Sequence, residues 1–421
     1  MKTPSVKNLP KIQAALLAAG LFANASAFAM TYTYRVPAKG VMYYAWSAEG
    51  GAGASVPPPA AVSAATPGRY GAAAIKVDGT LWTSGGVSGQ LPSANGAPTT
   101  RKTFAPIYDT SKFVNVSVNG GHMLAIKDNG TLWGTGQNDS GQLGDGTTTD
   151  RTGTLVQVGN GASGFVLASG GYNFSVALKQ DGTIWGTGYN YSGNFGGPAG
   201  AMYTNFVNLA NGEKFVWVGA VYDGAFALKA DGTLWNVGRN DAGGLGDGTC
   251  GTGMQCWKYP WGPAGGTNRF TKVAPSNWWT VALKADGTLW CAGSSYGGRF
   301  GVAASGVWKD FGACAPGHFF TDVATGADHT LAVKADGSLW ASGDNTNGQF
   351  GNGSTTSSST FIRVDGGQGP FVKVMATWWG DGSMALHADG SLWVTGSNNL
   401  SFGHLGAGTT GKVLTWTRIL P

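Results

Sequence analysis

The sequence has few of the side chains from which catalytic and metal sites are built. Only two of its 22 acidic residues are glutamates, Glu49 and Glu213, and its 421 residues include five histidines and four cysteines. It contains no nucleophile elbow, no phosphate-binding loop and no pair of histidines at metal-ligand spacing. These absences argue against an enzyme, although a site assembled from many loops would leave no such motif. We expect neither a metal nor a cofactor.

Charge is also scarce, and much of the net charge lies in the first residues. Lys2, Lys7 and Lys11 precede an apolar run, and the stretch 25–29 contains small residues at the spacing of a cleavage site. Residues 1–29 therefore read as a secretory signal peptide, too short to be a membrane span. Without these lysines the formal charge falls from +5 to about +2, which argues against nucleic acid as a partner. We expect a secreted or periplasmic protein with no membrane span after signal removal.

No helical apolar period follows the signal, but a nine-residue phrase recurs. "ALKADGTLW" stands at Ala227–Trp235 and again at Ala282–Trp290, and five looser copies bring the total to seven. The tryptophans that end the copies lie at 82, 133, 185, 235, 290, 340 and 393, so the period is 50 to 55 residues. The chain from 62 to 421 is therefore one array of seven repeats.

The sequence of each repeat predicts four short antiparallel strands. Asp-Gly suits the tight turn of a hairpin, as between Ser175–Lys179 and Thr183–Gly186. A strand candidate such as Phe165–Ala168 precedes the hairpin, and a glycine-rich loop followed by a strand such as Thr154–Val158 completes a unit. Seven four-stranded units about an axis form a seven-bladed β-propeller, an all-β fold. The seven tryptophans are expected to fill the wedge between blades, and the aspartates of the phrase to form turns.

The order of glycine, histidine, Asp-Gly, tryptophan and the final "GQFG" in Gly326–Gly351 resembles the regulator of chromosome condensation repeat. The resemblance covers all seven units and implies a seven-bladed propeller. Family members include a nuclear exchange factor and secreted inhibitors, so it implies little about function. His122 and His329 occupy the position where the family often has histidine, whereas Phe174 and Trp279 replace it elsewhere. We expect a buried, hydrogen-bonded role for both histidines.

Residues 30–61 hold a strand candidate, Tyr32–Val36, and a linker rich in glycine, proline and alanine. The strand either adds an edge to the propeller or forms a separate attachment. The four cysteines agree with an oxidising compartment. Cys250 and Cys256 enclose a loop unique to the fourth unit, while Cys291 and Cys314 flank a long loop of the fifth, so we favour pairing within each couple. Three connectivities remain open, and zinc is the poorer interpretation.

Strands that run alternately up and down place the Asp-Gly turns and their lysines on one face, which we expect to be a uniform solvated ring. The loops between first and second strands then lie on the opposite face, here called the aromatic loop face. These loops differ between blades and concentrate aromatic and polar residues, which is typical of binding hot spots. Adjacent residues diverge, so both members of a tryptophan pair should not be buried. The candidate binding residues are Tyr70, Tyr172, Asn173, Phe174, Tyr222, Asp223, Trp278, Trp279, Asp328, Trp378, Trp379 and Asp381.

The sequence therefore predicts a bacterial, secreted, non-enzymatic binding module that holds a partner protein on its aromatic loop face. Glycan recognition is the alternative, because aromatic rings also stack on sugars. The resemblance extends to a β-lactamase-inhibiting propeller that uses aromatics in corresponding loops, so inhibition of a secreted enzyme is a further alternative. The glycine-rich "GDGTTTD" at 144–150 hints at calcium but lacks the spacing of known calcium loops, and a turn is favoured.

Overall fold

Each repeat folds into a four-stranded antiparallel sheet whose strands follow chain order. In the third repeat the predicted hairpin is observed as Phe174–Lys179 paired with Ile184–Asn190. Gly182 of its turn has a φ of 84°, a conformation that glycine adopts without steric cost. The predicted hairpins are confirmed.

The computed structural model describes residues 61–86, 91, 101–119, 121–191, 193–197, 199–209, 212–249, 256–303, 305–376, 381–398 and 403–421. These residues belong to one unit, Ser55–Pro421. The predicted signal peptide lies outside the described residues, as does the predicted N-terminal strand and linker apart from Ala61.

The strands are numbered in chain order. Blades 1 to 3 comprise β1 (Val62–Pro67), β2 (Gly71–Lys76), β3 (Leu81–Gly85) and β4 (Arg101–Pro106); β5 (Phe113–Asn119), β6 (His122–Lys127), β7 (Leu132–Gly136) and β8 (Arg151–Gln157); and β9 (Phe165–Gly170), β10 (Phe174–Lys179), β11 (Ile184–Asn190) and β12 (Ala201–Asn208). Blades 4 and 5 comprise β13 (Trp217–Val221), β14 (Gly224–Leu228), β15 (Leu234–Arg239) and β16 (Trp257–Ala264); and β17 (Lys272–Pro275), β18 (Trp279–Leu283), β19 (Leu289–Ser294) and β20 (Val307–Cys314). Blades 6 and 7 comprise β21 (Asp322–Thr325), β22 (His329–Val333), β23 (Leu339–Gly343) and β24 (Ser358–Arg363); and β25 (Phe371–Ala376), β26 (Gly382–His387), β27 (Leu392–Gly396) and β28 (Val413–Leu420).

The first strand of every blade is the innermost. Each one contacts the first strands of its two neighbours, and β25 contacts β1, so the seven sheets close into a ring about an axis. The fold is the expected seven-bladed β-propeller. Among the described residues the single helical segment is a short 3₁₀ turn, Tyr296–Gly298.

The hydrophobic core consists of seven clusters, and each is shared by two adjacent blades. The repeated tryptophans are half-buried. Six pack against these clusters: Trp82, Trp185, Trp235, Trp290, Trp340 and Trp393. A side chain that spans two blades stabilises their association as well as each sheet, at roughly 25 cal/mol per Å² of apolar surface buried. The predicted wedge role is therefore confirmed, although one side of each ring reaches the surface.

The turn of the repeated phrase is a connected polar unit. Asp286 Oδ1 accepts bonds from Thr288 N (2.9 Å) and Thr288 Oγ1 (2.6 Å), and Trp290 Nε1 donates to Thr288 Oγ1 (3.3 Å). All seven turns contain the first of these bonds. In the second blade the acceptor is Asn129 Oδ1. Asp128 lies in the same turn, as predicted, but the acceptor stands two residues before the donor, so Asp128 does not supply it.

The lysines of this face are not the solvated ring that the sequence predicted. In six blades the ammonium nitrogen lies 3.5–4.3 Å from the ring centroid of the repeated tryptophan. The lysines are Lys76, Lys127, Lys179, Lys229, Lys284 and Lys334. Each one covers the exposed side of an indole, a cation–π contact of about 0.5–1 kcal/mol at a partly exposed site.

The same turn also joins neighbouring blades. Its glycine carbonyl accepts a bond from a backbone N–H at the start of the first strand of the next blade or two residues before it, as in Phe113 N to Gly79 O (2.8 Å). This bond recurs in every blade, and the ring closes with Val62 N donating to Gly390 O (2.8 Å). The repeated phrase is therefore both a hairpin and the contact for the next blade.

In blades 2, 3, 4, 6 and 7 a buried asparagine braces the glycine-rich loop after the third strand. In blade 2, Asn138 Oδ1 accepts from Leu143 N (2.9 Å), and Asn138 Nδ2 donates to Asp145 Oδ1 (3.0 Å). Asp145 also pairs with Arg151 (2.6 Å). Its carboxylate is thus engaged in a turn, as favoured over calcium. The hydroxyl of the following blade closes the loop, with Ser175 Oγ donating to Gln142 O (2.7 Å).

One of the two predicted disulfides is present. Cys291 and Cys314 are bonded and join β19 to β20. The pairing predicted for Cys256 involves Cys250, which lies outside the described residues, and it stays a prediction.

Candidate binding face

Three of the predicted residues, Tyr222, Asp223 and Trp278, line one pocket on the aromatic loop face. The pocket has a volume of about 320 Å³ and lies between blades 4 and 5. Its base is formed by the buried apolar side chains Val221, Phe226 and Leu245. Trp278 forms a wall and is 43% exposed. An apolar base beneath exposed aromatic walls is suited to receiving a side chain of another molecule.

Arg239 supplies the polar end of the pocket. Its Nε lies 2.5 Å from Asp241 Oδ2, and its Nη1 lies 3.5 Å from Asp223 Oδ2. The guanidinium carbon stands 5.1 Å from the centroid of the Trp278 ring. Burial raises the pKa of Asp223, although the neighbouring Arg239 acts in the opposite direction. The guanidinium is thus held between two carboxylates and an indole, which fixes the wall of the pocket.

Two tyrosines extend this surface toward blade 3. The rings of Tyr172 and Tyr222 stack with centroids 4.7 Å apart, and Tyr172 N donates to Tyr222 O (3.3 Å). Burial, followed by the charge of Asp223, raises the pKa of the Tyr222 phenol. Half-buried Tyr70, in blade 1, stacks with Arg69, whose guanidinium lies 4.7 Å from the ring centroid.

Two of the predicted acids belong to a second polar group. Asp328 forms an ion pair with Arg299. Asp381 Oδ2 accepts a bond from Asn347 Nδ2 (2.7 Å), and burial raises the pKa of the Asp381 carboxyl. These contacts join blades 5, 6 and 7, so both acids brace loops between blades.

Phe174 and Trp279 were wrongly assigned to the exposed face, since both are fully buried. Phe174 stacks on Phe195 with centroids 5.5 Å apart, and Trp279 lies 5.9 Å from the Phe300 ring centroid. Each is the first residue of a second strand, where the side chain turns into the blade interior. The expectation that one member of the pair Trp278–Trp279 would be exposed is confirmed.

The same register position holds the buried histidines. His122 Nε2 lies 2.8 Å from Ser175 Oγ, and His329 Nε2 lies 2.9 Å from Ser383 Oγ. Burial lowers the pKa of each imidazole to about 4. The buried, hydrogen-bonded role predicted for both histidines is confirmed.

The other predicted residues of the face are Trp378, Trp379 and Asn173. Trp378 and Trp379 lie outside the described residues, and their role stays a prediction. Asn173 is half-buried, and its backbone carbonyl accepts from Tyr189 N (2.9 Å).

The sequence-based selection missed Arg239 and Asp241 because it considered only the loops between first and second strands. Arg239 is the last residue of the third strand and Asp241 follows it, in the stretch "GRND" that corresponds to "GQND" of blade 2. A comparison of the repeats at this position would have identified the arginine. Trp257, which is 38% exposed and pairs across strands with Arg239, was missed for the same reason.

The described part of the chain holds no group of three or more histidine, cysteine, aspartate or glutamate side chains arranged to bind a metal ion. Within those same residues, no helix has the length and apolar character needed to cross a membrane.

Three stretches, residues 113–142, 165–194 and 320–349, match the family model of the regulator of chromosome condensation (RCC1) repeat. A segment of 105 residues is 34% identical to Protein RCC2 homolog of Danio rerio and covers 22% of this chain and 21% of that relative. Among solved structures, human WBSCR16 superposes with a TM-score of 0.67 at 17% identity, over 80% of this chain and 90% of that one. Prp20p of Saccharomyces cerevisiae superposes with a TM-score of 0.65 at 17% identity, over 75% of this chain and 80% of that one. At these identities the structural likeness shows the fold alone.

Proposed function

Because the repeats and the fold support membership of the RCC1 repeat family, we propose that this chain is a secreted, non-enzymatic module that binds a partner protein on its aromatic loop face. The observation that carries the proposal is the pocket lined by Tyr222, Asp223, Arg239 and Trp278. Secretion is supported by the signal-like residues 1–29.

The composition of the pocket favours a protein partner. Trp, Tyr and Arg are the residues over-represented at interface hot spots, and here all three surround one concavity. Their positions are fixed by the Tyr172–Tyr222 stack and by the carboxylates around Arg239. Groups held in place before binding lose little conformational freedom on association.

Relatives support the same class of function. Prp20p has been characterised for its binding to Gsp1p and histones, and Kap60 has been crystallised bound to yeast RCC1 (Prp20). A propeller of this type thus serves as a platform for other proteins. The proposal for this chain concerns a protein partner in general and none of these three.

Glycan binding is the second candidate, because the exposed Trp278 lies beside the carboxylate of Asp223. Stacking on a sugar requires a free aromatic face. Arg239 stands over the Trp278 ring, so one face of the indole is already occupied, and this favours a protein. Inhibition of a secreted enzyme is the particular case in which the bound protein is an enzyme.

The test compares the removal of two exposed aromatic rings on opposite faces. Trp278→Ala is expected to weaken binding to the partner captured from the producing organism's medium by more than about 2 kcal/mol, roughly thirtyfold in Kd, with little change in Tm. The measurement is titration calorimetry with the purified partner. Phe319→Ala removes a 61% exposed ring beside the Asp-Gly turn at Gly287 and should leave Kd unchanged.

Equal affinity of the wild type and Trp278→Ala would overturn the assignment of this face. A signal on a glycan array that Trp278→Ala abolishes, without any protein partner, would favour the glycan alternative. Trp279→Ala serves as a stability reference, because loss of a buried indole should destabilise the fold by about 3–5 kcal/mol.

A further inference from the structure

At one register position of the first strands, here called the axial position, the side chains Asn115, Lys272 and Asp322 contact a neighbouring blade. A residue at this position pairs with the last apolar residue of the second strand. The seven residues are Ala64, Asn115, Leu167, Trp217, Lys272, Asp322 and Lys373. Asn115 Oδ1 accepts from Ala168 N of the next blade (3.1 Å), and Asp322 Oδ2 accepts from Val374 N of the next blade (2.9 Å). The innermost strand has an unpaired edge, so its N–H groups need such acceptors.

The axial position also holds all the charge of the seven first strands. Their sequences contain three charged residues, Lys272, Asp322 and Lys373. Lys272 forms an ion pair with Asp322, whose other oxygen is bonded to Val374 N. The carboxylate is therefore committed on both sides, and the cluster carries one excess positive charge.

Lys373 holds that excess charge. It is half-buried and has no hydrogen bond or ion pair with any residue that the structure describes. The next axial residue around the ring is Ala64, whose methyl group offers no acceptor. Burial lowers the pKa of the Lys373 ammonium, and the nearby Lys272 adds to this effect. An ammonium so placed lacks the acceptors that buried charges require.

We propose that the axial cluster of Lys373, Lys272 and Asp322 binds a small oxyanion, a phosphate or a carboxylate group. Such an anion would supply the acceptors that Lys373 lacks and would neutralise the cluster.

The site would be reached from the Asp-Gly face. Phe371 N is bonded to Gly337 O of the neighbouring turn on that face, and Lys373 lies two residues farther along β25, about 7 Å by strand rise. The proposed anion site therefore lies at the end of the axis away from the aromatic loop face. It does not depend on the function proposed for that face.

The experiment measures thermal unfolding in inorganic phosphate or acetate, against sodium chloride at matched ionic strength. The Tm of the wild type should rise with at least one of the two anions and saturate. Lys373→Met removes the charge while keeping a similar length. It should melt higher than the wild type in chloride, because a half-buried charge without an acceptor is gone, and should bind the anion at least tenfold more weakly by calorimetry.

Lys309→Met, at an exposed position of β20, is the matched control and should respond to the anion as the wild type does. Lys373→Gln is a second variant in case the methionine perturbs the inner strand. The proposal is overturned if neither anion stabilises the wild type beyond chloride, or if the folded Lys373 variants keep the wild-type response.

Discussion

At the scale of single residues, the first position of each second strand decides how a blade interior is filled. This residue always pairs with a glycine of the third strand, as His122 does with Gly136 and Phe174 with Gly188. His, Phe and Trp fill the space in four blades, and glycine stands in the others. The alternation of a strand predicted that one of Trp278 and Trp279 would be exposed. It could not predict which, because that depends on the register of the whole blade.

The buried histidines predict a loss of stability in mild acid. Burial lowers the pKa of His122, His329 and His404 to about 4, whereas an unfolded histidine titrates near 6.5. The unfolded chain therefore binds more protons below pH 6.5, so the free energy of unfolding should be constant above that pH and fall toward pH 4. Each histidine accounts for up to about 3 kcal/mol.

Urea unfolding at pH 7.5, 6.0 and 5.0 measures the effect. His329→Gln removes one of the three buried histidines. The free energy of unfolding should therefore fall less between pH 6.5 and 4 than in the wild type, by about a third of the histidine contribution. The value at pH 7.5 separates the packing cost of the substitution. An unchanged slope in the variant would contradict the assignment.

At the scale of elements, the hairpins could be predicted closely and the outer strands less well. Asp-Gly and the following tryptophan mark both ends of each turn, which fixes the second and third strands. The fourth strand of blade 2 was predicted at Thr154–Val158 and is observed at Arg151–Gln157, because three extra residues of β8 lie between its pairings with Gly134 and Gly136 of β7. Such an irregularity has no local signature in an outer strand that carries mostly half-buried and exposed residues.

The disulfide of blade 5 predicts a measurable contribution to stability. Cys291–Cys314 links β19 to β20 across 23 positions, and loop-closure entropy for such a span is worth about 3 kcal/mol. Replacement of both cysteines by alanine should lower the free energy of urea unfolding by about this amount. Dithiothreitol should have the same effect on the wild type if it reduces this bond. A double variant as stable as the wild type would show that the strand pairing alone suffices.

At the scale of the molecule, the ring closes without any exchange of strands. Blades 1 and 7 are each built from one continuous stretch of chain. They meet through a shared apolar cluster and the bond from Val62 N to Gly390 O. The binding pocket likewise exists only at this scale, since Arg239 and Trp278 come from different blades. The sequence predicted the face but not the pocket, because that meeting depends on how blades pack.

Ring closure can be tested with two matched glycines. Gly390 has a φ of 85°, and an added Cβ would lie 2.4 Å from Ala61 Cβ. Gly317 has a φ of 78° and open space around it. Gly317→Ala should cost about 1–2 kcal/mol of unfolding free energy from the backbone alone. Gly390→Ala should cost at least about 1 kcal/mol more from the clash. Equal costs by urea unfolding would mean that the junction adapts freely.

Three hydroxyl hydrogen bonds between blades run in the same direction around the ring. Ser175 reaches back to the loop of blade 2, Thr280 to that of blade 4 and Thr395 to that of blade 6, each from a blade to its predecessor. Each of these three blades thus presents a hydroxyl donor to the preceding repeat, whose glycine-rich loop supplies the acceptor carbonyl. A duplicate of such a unit would bring both the donor and the acceptor of this bond, so the contact between blades would be kept when a whole repeat is added.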